Sequence, residues 1–246
     1  MMAGDPVAEK AAASVLKRAV ELDTAKRFTE SLVCYQEGLQ LLMEALKAKG
    51  QEESRRLELR KRVESYMNRA EFLKKHVENE KEAGKYHEKI EITANSVGYS
   101  YQKVIGRFLD EYITKVEVED PYIRSTHQVY NFLRLSELLV SNCRNLKKIF
   151  LLTGKEPGNQ QEMLDELKQS LAKHNVVLTI EYSATLHDRE IRLDNGWIIK
   201  IGRGLDYFRP PEGRFSLGFC DFDLRPCHAT SIDIFHSSSV RSIPNK

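Results

Sequence analysis

The sequence predicts a bundle of three helices followed by an α/β domain with a mixed sheet. Through about residue 82, apolar side chains recur three and four positions apart, as on one face of a helix. From Ile90 onward, short strand-like runs alternate with helical segments, which is typical of an α/β domain. Residues 191–201 alternate apolar and polar on both sides of Asp194-Asn195-Gly196, which indicates a β-hairpin.

The change of pattern predicts the domain limits. We expect the bundle to span residues 1–84, a linker to span 85–96 and the second domain to span 97–246. The stretch 78–90 is highly charged, which fits the end of the third helix joined to a linker. A solvated helix face would have the same composition, so that alternative stays open for part of the stretch.

The composition limits the possible partners and compartment. The chain has 246 residues, of which 41% are hydrophobic, so it can bury a core in each of two domains. Its net charge of +2 argues against strong binding of nucleic acid, and any anion site must be a local patch. We expect no nucleic-acid partner. Because no apolar run approaches the ~20 residues that span a bilayer, and no signal peptide is evident, we expect a cytoplasmic, peripheral membrane protein.

The cysteines predict neither disulfides nor a metal site. There are four, and their scattered positions suit a reducing cytosol. Cys220, Cys227 and His228 lie close in sequence, but the six-residue gap between the cysteines matches no common zinc spacing. We therefore expect no metal and no cofactor.

The sequence predicts where the helices of the bundle begin or end and which residues form their apolar faces. Asp5-Pro6 starts the first helix, because a carboxylate caps and proline suits the first position. The second carries an apolar stripe from Phe28 to Leu46 and closes at Lys49-Gly50. The third carries a stripe from Leu59 to Val77 and ends near Gly84. Short connections make neighbouring helices antiparallel.

Two residues depart from a simple bundle. Met67 lies off the stripe of the third helix, and Gly38 lies inside the second, where Gly costs about 1 kcal/mol against Ala. Together they suggest a shallow apolar groove between the second and third helices that accepts a partner helix. The alternative is that Met67 is a half-buried edge residue and Gly38 an accident of packing.

The segments A-V-E-L-D, R-F-T-E-S-L-V-C-Y-Q-E-G-L and Y-M-N-R-A-E-F-L-K resemble a microtubule-interacting and trafficking (MIT) domain over residues 8 to about 82. Members of this family are three-helix bundles that bind the C-terminal helical tails of ESCRT-III subunits, usually between the second and third helices. The resemblance implies that partner and that groove. The implied contact residues are Tyr35, Gly38, Leu42, Met67, Asn68, Ala70 and Leu73. Asn68 stands where the family often has Asp, and it can accept a hydrogen bond.

Strands and helices alternate through the second domain. The predicted strands are Ile90–Ile92, Ile113–Val118, Leu146–Leu152 and Val176–Tyr182, and the hairpin follows them. The predicted helices are Tyr101–Leu109, Thr126–Val140 and Glu162–His174. The almost entirely apolar third strand predicts a sheet covered on both faces. We expect the tail from Ser237 to be disordered.

His187, Arg189 and Asp194 combine residue types that suit phosphate chemistry. A histidine can attack phosphorus, a cation two residues on can neutralise phosphate oxygens, and a carboxylate can orient the imidazole. The spacing resembles the His-x-Lys-x4-Asp signature of the phospholipase D superfamily, with Arg189 in place of Lys, and it implies that fold. Gly202 and Gly204 fit the glycine-rich segment that follows in the family, although here it contains no Asn.

The motif predicts binding of phosphate without catalysis. Active members of the superfamily need two copies of the signature, and this chain has one. Arg grips phosphate bidentately, which favours holding it over transferring it. We expect no catalytic residue, and a dimeric cleft for acidic lipids, including phosphoinositides, built from His187, Arg189, Lys200 and Arg203. Two alternatives stay open: a phosphodiesterase that uses His187, and a structural dimer with ordinary surface charges.

Two further groups of residues bear on the cleft. Arg124 and His127 could line it together with Arg203, or they could form a helix N-terminal cluster without a ligand. Five aromatic residues could insert into a membrane, although packing in the core or a dimer is the expected role for most. They are Tyr207, Phe208, Phe215, Phe219 and Phe222.

The whole chain, including H-D-R-E-I-R, G-R-G-L-D-Y-F and C-D-F-D-L-R-P-C-H, resembles proteins that join an MIT domain to a phospholipase-D-like domain in cytokinetic abscission. The resemblance implies recruitment by ESCRT-III to the midbody and late endosome. It also implies a homodimer that binds acidic phospholipid membranes.

Overall fold

The computed structural model describes residues 6–47 and 53–237, and the chain divides into two compact units between Tyr86 and His87. The first unit contains three helices: α1 (Pro6–Thr24), α2 (Phe28–Lys47) and α3 (Glu53–Glu82). The predicted three-helix bundle is therefore confirmed. The predicted start at Asp5 and the predicted end of α2 at Lys49-Gly50 lie outside the described residues.

The backbone ends α3 where the sequence predicts. Gly84 has a φ of 65°, a left-handed conformation that glycine adopts without steric cost. Its N–H donates to the carbonyl of Lys81 at 3.0 Å, and the N–H of Lys85 donates to that of Glu80 at 2.8 Å. These hydrogen bonds from residues beyond the helix end give partners to the last carbonyl oxygens of α3.

The apolar stripes of the three helices meet in one core. Its buried members come from all three helices: Ala12, Leu16, Ala19, Tyr35, Leu42, Leu59 and Leu73. Gly38 belongs to the contact between α1 and α2, because a Cβ placed there would lie 2.6 Å from Cγ of Leu16. Burial of these side chains accounts for most of the stability of a bundle of this kind.

The second unit is built on one seven-stranded sheet. Its strands are β1 (His87–Ile92), β2 (Lys115–Glu119), β3 (Lys148–Thr153), β4 (Val177–Tyr182), β5 (Glu190–Leu193), β6 (Trp197–Ile201) and β7 (Thr230–His236). The order across the sheet is β1-β7-β6-β5-β2-β3-β4. The β2–β3 and β3–β4 pairs are parallel and the other pairs are antiparallel, so the predicted mixed sheet is confirmed.

The helices of this unit are α4 (Tyr101–Val104), α5 (Thr126–Asn142) and α6 (Gln160–Lys173). The predicted helix Tyr101–Leu109 is wrong beyond its first turn, because α4 passes into a 3₁₀ turn at Gly106–Phe108 and Leu109 is extended. The start of α5 is fixed by Ser125 and Gln128, whose side chains bond reciprocally to the backbone in a capping box. No helix among residues 6–47 and 53–237 is both long and apolar enough to cross a membrane.

The predicted linker 85–96 is wrong over His87–Ile92, which forms the edge strand β1. This strand pairs antiparallel with β7, with Ile90 opposite Ile232. Its exposed charged residues alternate with buried residues. The charged residues at this end of the predicted linker therefore form the solvated face of a strand. The strand β7 itself was not predicted. The tail expected to be disordered falls mostly on residues 238–246, outside the described part of the chain.

Candidate functional site

The structure does not bring the residues of the candidate phosphodiesterase motif together. His187 and Arg189 lie in the loop before β5, and His187 is exposed. Asp194 follows the other end of β5, and a strand of this length separates its ends by about 13 Å. The carboxylate of Asp194 therefore cannot orient the imidazole of His187.

Asp194 instead fixes the start of β2. Its carboxylate accepts hydrogen bonds from the backbone N–H of Thr114 at 3.1 Å and of Lys115 at 2.9 Å. It also accepts one from the hydroxyl of Thr114 at 2.6 Å. Its interactions are those of a structural residue that ties the hairpin to the neighbouring strand.

Arg189 and Arg203 do converge, as predicted, on one pocket of about 220 Å³ that Tyr122, Gln128 and Asp206 also line. The guanidinium of Arg189 lies 4.7 Å from the centre of the Tyr122 ring. It donates from Nη1 to the carbonyl of Gly202, while its buried Nε has no hydrogen-bond partner among the described residues. The Nε of Arg203 reaches the carbonyl of Asp206 at 3.5 Å. Both guanidinium groups contact carbonyl oxygens, and neither forms an ion pair among the described residues.

Lys200 does not join this pocket. Its ammonium lies 3.2 Å from Oε2 of Glu190, which is buried and also pairs with Arg192. Lys200 and Glu190 lie opposite each other in the β5–β6 register, so strand alternation places this pair on one face of the hairpin. Of the four predicted phosphate-binding residues, Lys200 and His187 therefore do not line this pocket.

The glycine-rich segment after β6 accommodates a carboxylate of the chain itself. Gly204 has a φ of 63°, and a Cβ there would lie 2.1 Å from Oδ2 of Asp120. Asp120 is buried and accepts hydrogen bonds from the backbone N–H of Leu205 and of Tyr122, both at 2.9 Å. Burial raises the pKa of Asp120, and these two N–H groups act against that rise.

Asp120 lies near Arg189, although it lines neither the Arg189–Arg203 pocket nor any predicted site. It lies at the carboxyl end of β2, an edge where ligand sites of α/β sheets often lie. The available signal was an aspartate that follows an apolar strand and precedes Pro121. By itself, that pattern predicts only the end of the strand.

A larger cavity of about 440 Å³ lies beside the Arg189–Arg203 pocket and shares Asp206 with it. Its wall is rich in basic side chains: His127, Arg134, Arg209, Arg225 and His228. Burial lowers the pKa of Arg134 and of Arg225. Burial, with Arg203 and Arg209 nearby, lowers the pKa of His228. We refer to this space as the basic cavity.

Asp206 is tied to the first turns of α5. Its carboxylate lies 3.2 Å from Nε2 of His127, and it accepts hydrogen bonds from Gln128 at 3.2 Å and Asn131 at 3.1 Å. His127 therefore lines the basic cavity. Arg124 does not line either space, because it bonds to the carbonyl of Pro121 at 2.8 Å and approaches Glu156 at 3.4 Å.

The five aromatic residues after β6 fall into three groups. Tyr207 and Phe208 are buried in the core of the unit, as expected for packing residues. Phe219 and Phe222 line the basic cavity. Phe215 is fully exposed, and Leu217 beside it is almost as exposed.

In the bundle, four of the seven predicted tail contacts are core residues. Tyr35, Gly38, Leu42 and Leu73 are buried, and Gly38 makes room for Leu16 of α1. These four residues pack in the core of the bundle, so their contact with a tail stays a prediction. The other three lie nearer the surface: Met67 is 44% exposed, Asn68 is exposed and Ala70 is half-buried.

A concave surface of about 580 Å³ lies between α1 and α3, with Leu16, Leu42 and Leu59 among its lining residues. Two ion pairs join the same two helices. Glu9 meets Arg55 at 2.8 Å, and Asp23 meets Arg69 at 2.7 Å. Each pair lies fourteen residues from the other on its helix (9 to 23, 55 to 69), which is about 21 Å.

No group of three or more His, Cys, Asp or Glu residues within 6–47 and 53–237 could hold a metal ion. Cys227 is buried, and burial raises the pKa of its thiol to about 11. Cys220 is exposed, so the two cysteines near His228 occupy different environments.

Comparison with known proteins agrees with this architecture. Residues 9–75 match the MIT (microtubule interacting and transport) domain, and residues 98–236 match the phospholipase D-like domain found at the C-terminus of MIT proteins. The chain is similar to MIT domain-containing protein 1 of Mus musculus, with 53% identity over 237 residues that cover 95% of each chain. The chain therefore belongs to the family of proteins in which an MIT domain precedes a C-terminal phospholipase D-like domain.

Proposed function

We propose that this protein is an ESCRT-III-binding adaptor that brings its C-terminal domain to acidic membranes. The MIT domain binds the C-terminal tails of ESCRT-III subunits, and the phospholipase D-like domain binds acidic phospholipids, including phosphoinositides, without hydrolysing them. The domain pair and the similarity to MIT domain-containing protein 1 support this reading. The observation that carries it is the convergence of Arg189 and Arg203 on one pocket, with Asp194 beyond the far end of β5.

The arrangement favours binding over catalysis. A histidine nucleophile needs a group that orients its imidazole, and Asp194 instead binds Thr114 and Lys115. The two arginines keep their charge and offer several N–H donors, which suits a phosphate. The alternative, a phosphodiesterase that uses His187, requires a different group to orient that side chain.

We further propose that the C-terminal domain is a homodimer and that the protein acts in cytokinetic abscission, at the midbody and late endosome. A single copy of a signature that the superfamily uses in pairs supports dimerisation, because two-fold symmetry supplies the second copy. Two copies of the pocket would also bind one membrane with greater avidity than one.

Sedimentation of vesicles tests the lipid half of the proposal. We expect the full chain to sediment with vesicles that contain phosphatidylinositol bisphosphate, and binding to weaken as salt rises. Arg189→Gln with Arg203→Gln should weaken this association several-fold. Arg144→Gln with Lys173→Gln is the control, because both side chains are exposed and the change removes the same charge outside the pocket. Equal losses in both double variants would contradict the site, and phosphodiester hydrolysis that His187→Ala abolishes would establish the enzyme.

Matched substitutions test where the tail docks. Met67 of α3 and Val20 of α1 are each 44% exposed, and only Val20 lines the concave surface between α1 and α3. We expect Met67→Asp to weaken binding of an ESCRT-III tail peptide at least tenfold, because it places a charge at an apolar contact. Val20→Asp should have little effect. The reverse result would move the site to the α1–α3 surface.

A further inference from the structure

The basic cavity carries an excess of positive charge, and the proposed binding of lipid in the Arg189–Arg203 pocket gives that charge no role. Five basic side chains line it, and Asp206 is the carboxylate among its lining residues. The two oxygens of Asp206 already accept from Gln128 and Asn131 and approach His127. The wall therefore holds three arginines to one carboxylate, and among the described residues no ion pair joins any of these arginines to Asp206.

One of the arginines that line the basic cavity is Arg134 of α5. Its guanidinium lies 4.0 Å from the centre of the Phe222 ring and donates to the side-chain oxygen of Asn131 at 3.2 Å. No ion pair joins Arg134 to a carboxylate among residues 6–47 and 53–237. The group stays cationic in a half-buried position, where desolvation disfavours its charge.

Arg225 is buried, its hydrogen bonds go to backbone oxygens, and its guanidinium lies 4.6 Å from the centre of the Phe222 ring. It donates to the carbonyls of Gly218, Arg209 at 3.1 Å and Phe219 at 2.9 Å. These bonds satisfy its donors without neutralising its charge. They also brace the loop 209–219 against the wall of the cavity.

That loop carries the most exposed apolar side chains of the unit. Phe215 and Leu217 stand in solvent, next to the exposed cation Arg214. Exposed aromatic and aliphatic side chains beside basic residues fit the boundary between lipid headgroups and acyl chains. A loop of this composition, fixed by Arg225, joins an apolar tip to an anion-attracting cavity.

We propose that the basic cavity binds the phosphorylated inositol of a membrane lipid while Phe215 and Leu217 enter the bilayer. Arg134, Arg209 and His228 contact the phosphates, and Arg225 holds the loop in place. The volume of about 440 Å³ lies within the roughly 300–1,000 Å³ of small-ligand sites. The inference deepens the proposed function, because it gives the lipid a second and larger site beside the Arg189–Arg203 pocket.

Two binding measurements distinguish recognition of the headgroup from insertion into the membrane. Binding of free inositol trisphosphate to the full chain reports on the cavity, and sedimentation with phosphatidylinositol bisphosphate vesicles reports on the whole surface. Arg134→Gln should weaken both about tenfold, because a charged hydrogen bond to phosphate is lost. His228→Gln should weaken both by less. Arg144→Gln is the matched control, because Arg144 is exposed and does not line the cavity. Thermal unfolding of each variant reports whether it remains folded.

The loop supplies the second arm of the experiment. Phe215→Ser with Leu217→Ser should leave the binding of inositol trisphosphate unchanged and reduce sedimentation with vesicles several-fold. If vesicle binding survives this change, the membrane part is wrong and the cavity binds soluble inositol phosphates. If folded Arg134→Gln and Arg144→Gln behave alike while the wild type binds vesicles, the cavity proposal fails and the proposed function stands. If the wild type binds no acidic vesicle, the proposed function fails.

Discussion

The arginines that link helices in the bundle and the arginines that line the basic cavity have opposite kinds of partner. In the bundle, Arg55 and Arg69 of α3 each meet a carboxylate of α1, so the cations are neutralised where they link helices. In the C-terminal unit, Arg134 and Arg225 contact carbonyls, an amide oxygen and aromatic rings, and their charge remains. The difference teaches that an arginine's partners, more than its exposure, indicate whether it serves the fold or an external anion.

Arg225→Met should produce the largest effect on stability. Removing the guanidinium leaves the carbonyls of Gly218, Arg209 and Phe219 without a donor, and we expect a loss of about 3 kcal/mol in the free energy of unfolding. Urea denaturation of the full chain measures this loss. Arg214→Met in the same loop is the control and should change stability by less than about 0.5 kcal/mol. Equal stability of the two variants would show that Arg225 does not brace the loop.

Gly38→Ala tests whether packing, rather than ion pairs, holds the bundle. The new Cβ would lie 2.6 Å from Leu16, which costs about 1–3 kcal/mol of overpacking, against about 1 kcal/mol of gained helix propensity. We expect a net loss of about 1 kcal/mol, measured by thermal unfolding. Glu37→Ala, one position earlier and exposed, should be neutral or stabilising. A stabilised Gly38→Ala would mean that α1 and α2 are not in close contact there.

Arg69→Gln should have a smaller effect than Gly38→Ala. The Arg69–Asp23 pair is solvent-accessible on the Arg69 side, and such pairs contribute roughly 0–1 kcal/mol. A double-mutant cycle with Asp23→Asn gives the coupling energy directly. A coupling above about 2 kcal/mol would reverse the ranking of packing over ion pairing in the bundle.

The smallest expected effect is the pH dependence of headgroup binding. Burial and the nearby Arg203 and Arg209 lower the pKa of His228 below its usual 6.5, while Asp206 acts in the opposite direction. A bound phosphate favours the imidazolium and raises this pKa, so the complex holds more protons than the free protein. Affinity for inositol trisphosphate should therefore rise a few-fold as the pH falls from about 7.5 to about 6. His228→Gln should flatten the profile, and an unchanged slope would assign the dependence to another group.

The sequence predicts the helices well because their periodicity is local. The strand β1 was predicted only over Ile90–Ile92 and β7 was not predicted, because each carries polar residues on its solvated face and their pairing joins residues far apart in sequence. Gly38 could not be interpreted without the α1–α2 register, which sets Leu16 against it.

The candidate site was predicted in part. Arg189 and Arg203 converge as expected, because the hairpin and the segment after it bring them to the same sheet edge. The separation of His187 from Asp194 follows from the extended strand between them, whereas the spacing alone suggested a catalytic set. The basic cavity could not be predicted, because it assembles α5 with residues 208–228 across a long sequence separation.

A crystal structure of the full chain with inositol trisphosphate tests the central claim most directly. We expect density for phosphate groups in the basic cavity, within hydrogen-bond distance of Arg134, Arg209 and His228. Phosphate density confined to the pocket of Arg189 and Arg203 would contradict the assignment of the basic cavity and support the first pocket alone, and a ligand bound elsewhere on the chain would contradict both sites.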